Sequence, residues 1–540
     1  MMRKKAKRTI WSVLVWLMLC LLLLSGCTSK VTEQTTGKTL WVVTEATVSD
    51  SMNYQAQQAV DTFEQEHPGV TVQLDILPME ADEREIRLKQ LRAQIMAGKG
   101  PDVFLLPTST TITTDIPLHS TSWKLIYTEV EPLFNDVSQP MHSGIFADVS
   151  SYYDADVALN TADLHPDVMD AGVVGDARYV LPLRYTMPVL LTSPEKNAEA
   201  GIDPQMINSG IGALVQHSLD TGNVMMGAGL RLANDLTMLP QAFDYEKGEM
   251  LISQQEIAQF MRLYQQWRAT GGAAGDEFLA AKTIEVRSRL DEAWPDHPDD
   301  IFVFLNITFG WRDFNSYIAN GRYFYHWSLE PLTVFTHDLP GVLEQAAIAR
   351  VINADLEAHA LRNMNGQSVA EVVYWGAVGS SCSDVGLAWD YLRLFLPEEY
   401  QHVGMRPRTD RSEDDIWNTS RERQINGMIE NSWPVRVKGS ATPLWETFQY
   451  QIHQEDSGIR GARQQMRKYN NRELIITDEE MPILFEPLDV VQFPIYQPEE
   501  ESLAYALSQL NHEDGTPTDV DIDALAEKVY QYLWWHLAEG

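Results

Sequence analysis

Apolar and polar positions follow several distinct periods along this chain, and the first is not a folding period. A near-continuous apolar run from Ile10 to Leu24 follows Arg3, Lys4, Lys5, Lys7 and Arg8 and ends in Leu24-Ser25-Gly26-Cys27. A charged start, a short apolar stretch and a small-residue end predict a signal peptide over residues 1–26 rather than an ordinary membrane span. Thr28–Lys38 (TSKVTEQTTGK) is polar and aperiodic, which predicts a flexible tether over 27–38. Folding periods begin with Thr39–Thr44 (TLWVVT), a short β-rich run. Ser51 to Glu66 carries Met52, Ala56, Ala59, Val60 and Phe63 at helical spacing, and His67-Pro68-Gly69 stops it. Val70–Leu77 alternates as a second strand, Asp82 to Ala97 predicts a helix with Ile86, Leu91 and Ile95 on one face, and Asp102–Leu106 is an apolar strand. Strand, helix, strand, helix, strand with short links predicts βαβ units, a parallel sheet and right-handed crossovers. Towards the end, Glu499-Glu500-Glu501 opens a helix after Pro498, and Asp521 to Leu537 spaces Leu525, Val529 and Leu533 by four.

Charge and cysteine content narrow this picture. The net charge is −35, and loss of residues 1–26 takes it to −40. Such a surface repels phosphate backbones and argues against a nucleic-acid partner. Of the 3 cysteines, Cys20 leaves with the signal, Cys27 stands at its end and Cys382 has no remaining partner for a disulfide in the folded region. Stability must come from the core. With 44% of residues apolar and length enough for two or more domains, a large core is expected. No internal repeat is evident, which argues against a solenoid.

Several passages carry a resemblance. Leu24-Ser25-Gly26-Cys27 resembles a bacterial lipobox, whose cysteine is lipidated and becomes the new N-terminus. Phe63-Glu64-Gln65-Glu66-His67-Pro68-Gly69-Val70-Thr71-Val72 is similar to the opening of extracellular solute-binding proteins of family 1, the carbohydrate-type, maltose-binding-protein-like group. Leu88–Leu106 (LKQLRAQIMAGKGPDVFLL) resembles that family's second helix and its Gly-Pro-Asp-Val strand. Val174–Leu183 resembles the strand that enters the hinge, and Ala388–Leu396 (AWDYLRLFL) and the last helix resemble later family segments. Residues 107–150 and 397–490 are longer than the family pattern, and Leu190-Leu191-Thr192 departs from the aromatic and Asn that often follow the hinge proline.

The resemblance implies an α/β, two-lobed periplasmic-binding-protein-like (type II) fold with a hinge between the lobes. The first lobe is expected at 39–187 with a returning segment near 368–490, and the second at 188–367 with part of 491–540. It implies capture of a small-molecule ligand, an oligosaccharide in the first place, and delivery to the permease subunits of an ABC transporter. It further implies a membrane link through lipidated Cys27, an extracytoplasmic location, and no cofactor, metal or catalytic residue.

Sugars present flat C–H faces ringed by hydroxyls, so their sites combine aromatic platforms with charged and amide hydrogen-bonding groups. Trp327 in GRYFYHWSLE, Trp375 before the strand that returns to the first lobe, and Tyr185 with Arg184 just beyond Leu181-Pro182-Leu183 are the aromatic candidates, with Tyr496 beside a last hinge crossing. Glu45 and Thr108 follow the first and third strands, where open α/β sheets bind ligands, and Glu330 lies just past Trp327. Against each stands simple core or hinge packing, and Trp534-Trp535 is expected to pack a helix. Sequence motifs for zinc hydrolases, serine hydrolases and P-loops are absent. Asp519-x-Asp521-x-Asp523 imitates a calcium loop, but Ala524 and Tyr530 occupy the positions that need Gly and Glu, so helix capping is expected. A cell-surface glycan-degrading enzyme and a ligand-binding lipoprotein feeding a sensor system remain as alternatives. The lipobox resemblance has a direct test: Cys27→Ser is expected to move the protein from the membrane fraction to the medium or periplasm without changing ligand affinity, and unchanged membrane retention on fractionation would remove the assignment.

Overall fold

The computed structural model describes residues 37–45, 50–78, 80–108, 110–119, 122–192, 194–221, 238–271, 334–336, 339, 342, 357–397, 432–437, 482–512 and 515–539. Its first elements are β1 (Lys38–Glu45), α1 (Asp50–Glu66), β2 (Val70–Leu77), α2 (Ala81–Met96) and β3 (Val103–Pro107). β1 lies between β2 and β3 and pairs with both in parallel, the arrangement that the βαβ spacing demands. α1 turns Ala56, Ala59, Val60 and Phe63 into the core. It stops at Gly69, whose φ of 93° suits a residue without a Cβ, and the Val70 amide closes the turn on the His67 carbonyl at 3.0 Å. α2 buries Arg84, Leu88 and Leu91, while Ile86 is 59% exposed. The expected Ile86–Leu91–Ile95 face is thus corrected: residues four and seven apart share a helix face, and five apart do not.

After β3 the chain forms an antiparallel hairpin of β4 (Thr110–His119) and β5 (Ser122–Val130). It then returns to the main sheet with β6 (Val180–Thr186), and β7 (Val189–Thr192) follows at once. β8 (Val334–Thr336) and β9 (Glu357–Ala360) flank β7 in a small antiparallel sheet. β10 (Val369–Val378), β11 (Trp433–Pro434) and β12 (Val490–Gln492) complete the main sheet, whose order is β11-β6-β10-β3-β1-β2 with β12 on β10. β10 runs antiparallel to both β3 and β6. The sheet is therefore mixed and not parallel throughout. Arg184 and Tyr185 lie inside β6, just after Leu181-Pro182-Leu183, and Trp375 lies inside the returning strand, not before it.

Helices α3 (Ile211–Thr221), α4 (Gln254–Gly271), α5 (Val385–Leu392), α6 (Leu503–Ser508) and α7 (Ile522–Glu539) complete the named elements. Glu499–Glu501 forms only a short 3-10 turn, and the helix proper starts after Ser502, whose hydroxyl accepts the Tyr505 amide at 2.9 Å. Asp521 caps α7 in the same way, accepting the Ala524 amide at 3.1 Å. Among the described residues no helix is long and apolar enough to cross a membrane.

Among the described residues the buried apolar side chains, Val437 apart, fall into two cores. The larger holds the main sheet, α1, α2 and α5; the smaller holds α3, α4, α6 and α7. Among the described residues the chain passes between them three times: from β6 to β7 through Met187-Pro188, from β9 to β10 through 361–368, and from β12 to α6 through 493–502. The second passage is docked tightly. Gly210 has a φ of 93°, and a Cβ there would stand 2.1 Å from the Asn363 carbonyl oxygen. Gly210→Ala is therefore expected to destabilise the protein by about 1–3 kcal/mol, measured as a lower denaturant midpoint.

Candidate functional site

The C-terminal edge of β1 and β3 gathers several of the polar candidates, and most of them are already engaged. Glu45 ends β1 with its side chain 1% exposed, and Arg84 in the first turn of α2 donates to its carboxylate at 2.8 Å. Arg84 also donates from Nε to the Glu131 carbonyl at 2.9 Å, so the guanidinium joins the sheet edge to the chain beyond the β4–β5 hairpin. Thr108 donates its hydroxyl to the Val372 carbonyl and its amide to the Val373 carbonyl at 3.0 Å. It thereby fills the step along β10 between β3, which pairs from Tyr374 onwards, and β12, which pairs at Val369–Glu371. Tyr374 is fully buried beside Thr44 and Glu45, and burial pushes its phenol above the usual range.

The aromatic candidates lie within the core. Trp375 is 1% exposed among Phe134 and Phe146, at ring separations of 6.1 and 5.6 Å, and its indole N–H has no hydrogen-bond partner among the described residues. Glu45, Thr108 and Trp375 share one corner of the sheet, since β1, β3 and β10 are neighbours and span about 10 Å across two strand spacings. Tyr185 is fully buried between Trp433, stacked at 6.3 Å, and His165, edge-on at 5.8 Å. Its hydroxyl also lacks a partner among the described residues, and burial pushes the phenol upwards. Burial pushes the His165 imidazole the other way, below its usual range, with Asp167 and the Glu486 backbone opposing. Arg184 lies opposite Tyr374 and Pro434 across the sheet and is 4% exposed.

Tyr496 stands apart from this corner. Its amide donates to the Asn135 carbonyl at 2.8 Å and its carbonyl accepts the Tyr532 hydroxyl at 2.7 Å, so it belongs to the contact between the two cores. Trp327, Glu330 and Cys27 lie outside the described residues. Trp534 and Trp535 are 48% and 62% exposed, which corrects the expectation that they pack the last helix. Burial pushes the half-buried Cys382 thiol up to about 12, which leaves it a poor nucleophile. Among the described residues no cluster of His, Cys, Asp or Glu could hold a metal ion.

Sequence reasoning passed over Tyr374, Arg84, His165 and Trp433. The alternation of a strand through Trp375 puts Tyr374 on the other face, and the spacing of Arg84 with Leu88 and Leu91 marks it as inward; both signals were available locally. Nothing local marks His165 or Trp433, which meet Tyr185 only through the fold.

No protein-family model matches this chain, and no curated protein does either. Solved structures do match over most of its length. Solute-binding proteins are among the matches. An extracellular solute-binding protein of family 1 from Alicyclobacillus acidocaldarius is 11% identical over 92% of this chain and 98% of its own, with a TM-score of 0.42. The galacto-N-biose-/lacto-N-biose I-binding protein of the ABC transporter from Bifidobacterium longum, in complex with lacto-N-biose, is 12% identical over 94% and 98%, with a TM-score of 0.44. A periplasmic oligogalacturonide-binding protein from Yersinia enterocolitica is 11% identical over 93% and 99%, with a TM-score of 0.43. Superpositions this loose carry no weight for the ligand of this chain.

The Glu45–Arg84 pair yields a clear expectation. Arg84→Ala removes the guanidinium paired with a buried carboxylate and is expected to cost about 3–5 kcal/mol in urea unfolding, and adding Glu45→Gln is expected to recover part of that loss.

Proposed function

We propose that this chain is a lipid-anchored extracellular solute-binding protein that captures a carbohydrate, an oligosaccharide in the first place, and hands it to an ABC importer. The observation that carries the reading is the pair of hydrophobic cores joined by three passages of chain. That architecture suits a ligand which bridges two bodies and biases a hinge between them. The lobes are assigned to 39–187 with 368–490, and to 188–367 with part of 491–540. Most buried residues of the two cores follow this division, while Val189, Leu191, Leu339, Val342 and Ala360 pack into the larger core.

Binding needs no covalent chemistry. Ligand enters between the lobes, exchanges its hydration for side-chain contacts, and holds the lobes in one relation that the importer's permease subunits recognise. The sheet corner that carries Glu45, Thr108 and Trp375 supplies a rigid wall for such a cleft. Trp327 and Glu330 are proposed to supply the stacking platform and hydrogen-bonding carboxylate from the second lobe. The lipid on Cys27 and the polar tether keep the protein near its importer and free to rotate.

Capture and release together call for an affinity of about −8 to −10 kcal/mol, a micromolar to submicromolar Kd. The test is a thermal-shift screen of the soluble 28–540 chain against mono- and oligosaccharides, peptides and polyamines. Ligand at 100 times Kd is expected to add roughly 2.7 kcal/mol of apparent stability, and Trp327→Ala to weaken binding by about 1–3 kcal/mol. A shift confined to one glycan series with no product formed supports the proposal. Glycan turnover, or a flat response across every panel, overturns it.

A further inference from the structure

Asp136 is 1% exposed and belongs to a stretch whose Leu133 and Val137 lie in the larger core. Its side chain nonetheless finds partners in the smaller one. One carboxylate oxygen accepts a hydrogen bond from the Tyr245 hydroxyl and lies 3.7 Å from Nε2 of His536. The other accepts the Ser138 amide at 2.8 Å, which fixes the carboxylate on its own segment. Tyr245 packs beside Phe243 on the smaller core, and His536 stands on α7 between Phe243 and Tyr532.

The contact extends to both sides of Asp136. Asn135 offers its carbonyl to the Tyr496 amide at 2.8 Å, and Gln139 donates from Nε2 to the His536 carbonyl at 2.9 Å. The His142 ring lies 6.0 Å from that of Tyr245 and bonds through Nδ1 to the Ser138 carbonyl at 2.9 Å. Three residues of the stretch 135–139, Asn135, Asp136 and Gln139, therefore carry polar contacts that cross from one core to the other. A buried carboxylate needs compensation for its lost hydration. Among the described residues the side-chain compensation comes from the opposite core, so it lasts only while the cores keep their present relation.

We propose that Asp136, Tyr245 and His536 form a polar latch that fixes the relative orientation of the two lobes. The latch rests on the two-lobed arrangement and not on the nature of the ligand. By linkage, any ligand that turns the lobes must work with or against it, so its strength enters the binding affinity.

Ligand-free protein provides the test. Tyr245→Phe removes one hydroxyl, and Asp136→Asn keeps the shape of the side chain. Each is expected to raise hydrogen exchange across 135–139 and 243–250 about ten-fold, and to broaden the distance distribution from small-angle X-ray scattering, with exchange in β1 and β10 unchanged. The double variant is expected to do no more than the stronger single one, as for groups acting as a unit. Unchanged exchange and scattering in Tyr245→Phe overturn the latch, as does a uniform rise over both cores, which marks plain destabilisation. Because no ligand is present, failure here leaves the carbohydrate reading untouched, and a flat ligand screen leaves the latch untouched.

Discussion

A strand of four residues belongs to both hydrophobic cores. In β7, Val189 and Leu191 are buried in the larger core while Leu190 between them is buried in the smaller one. The two-residue period of a strand makes this division unavoidable once the strand lies between two apolar bodies. Its neighbour behaves alike, with Ala360 at the end of β9 in the larger core and Leu361 just beyond in the smaller. A slip of one residue would exchange these side chains between the cores, so register and lobe assignment are one constraint. Any shift of one core against the other would therefore be absorbed in the chain that flanks β7 and β9, not in the strands.

That flanking chain is braced at particular points. The Leu361 amide donates to the Pro188 carbonyl at 2.7 Å, which joins the first passage to the second. Arg362 donates to Glu486 at 3.0 Å and to Asp489 at 3.1 Å, which joins the second passage to the stretch leading into β12. Asp489 also accepts the Ser368 amide at 2.9 Å, and Asn363 organises the turn between by accepting the Asn365 and Gln367 amides. These charges are partly exposed, so their value lies more in fixing geometry than in net stability. The three passages thus form one mechanical unit, with the Asp136 contact as a separate tie between the lobes.

The opening βαβαβ unit was legible because each of its elements is specified locally: α1 by its apolar spacing and its Gly69 stop, the strands by their short apolar runs. The rest of the sheet was less so. β10 enters antiparallel between β3 and β6, and it reaches β3 from more than 260 residues away in sequence. No local pattern distinguishes such a strand from a parallel one. For the same reason Trp375 and Tyr185 could be recognised as strand-associated aromatics but not as core members. Their burial depends on Phe134, Phe146, His165 and Trp433, which come from distant segments. Glu45 and Thr108 were found by the rule that ligand sites gather at strand ends, and both do lie at the edge. Their engagement with Arg84 and Val372 is tertiary and had no local signal.

The order in which the chain supplies its parts has a consequence for how the protein is made. β12 pairs with β10 only when residue 490 is available, and the smaller core needs Val529 and Leu533 of α7. Neither body can close until residues 490–533 have been made. Partial chains would expose the aromatic cluster around Trp375 and the edge of β10, surfaces that invite misassembly. Folding then waits on residues 490–533, with slow, long-range pairing as its late steps.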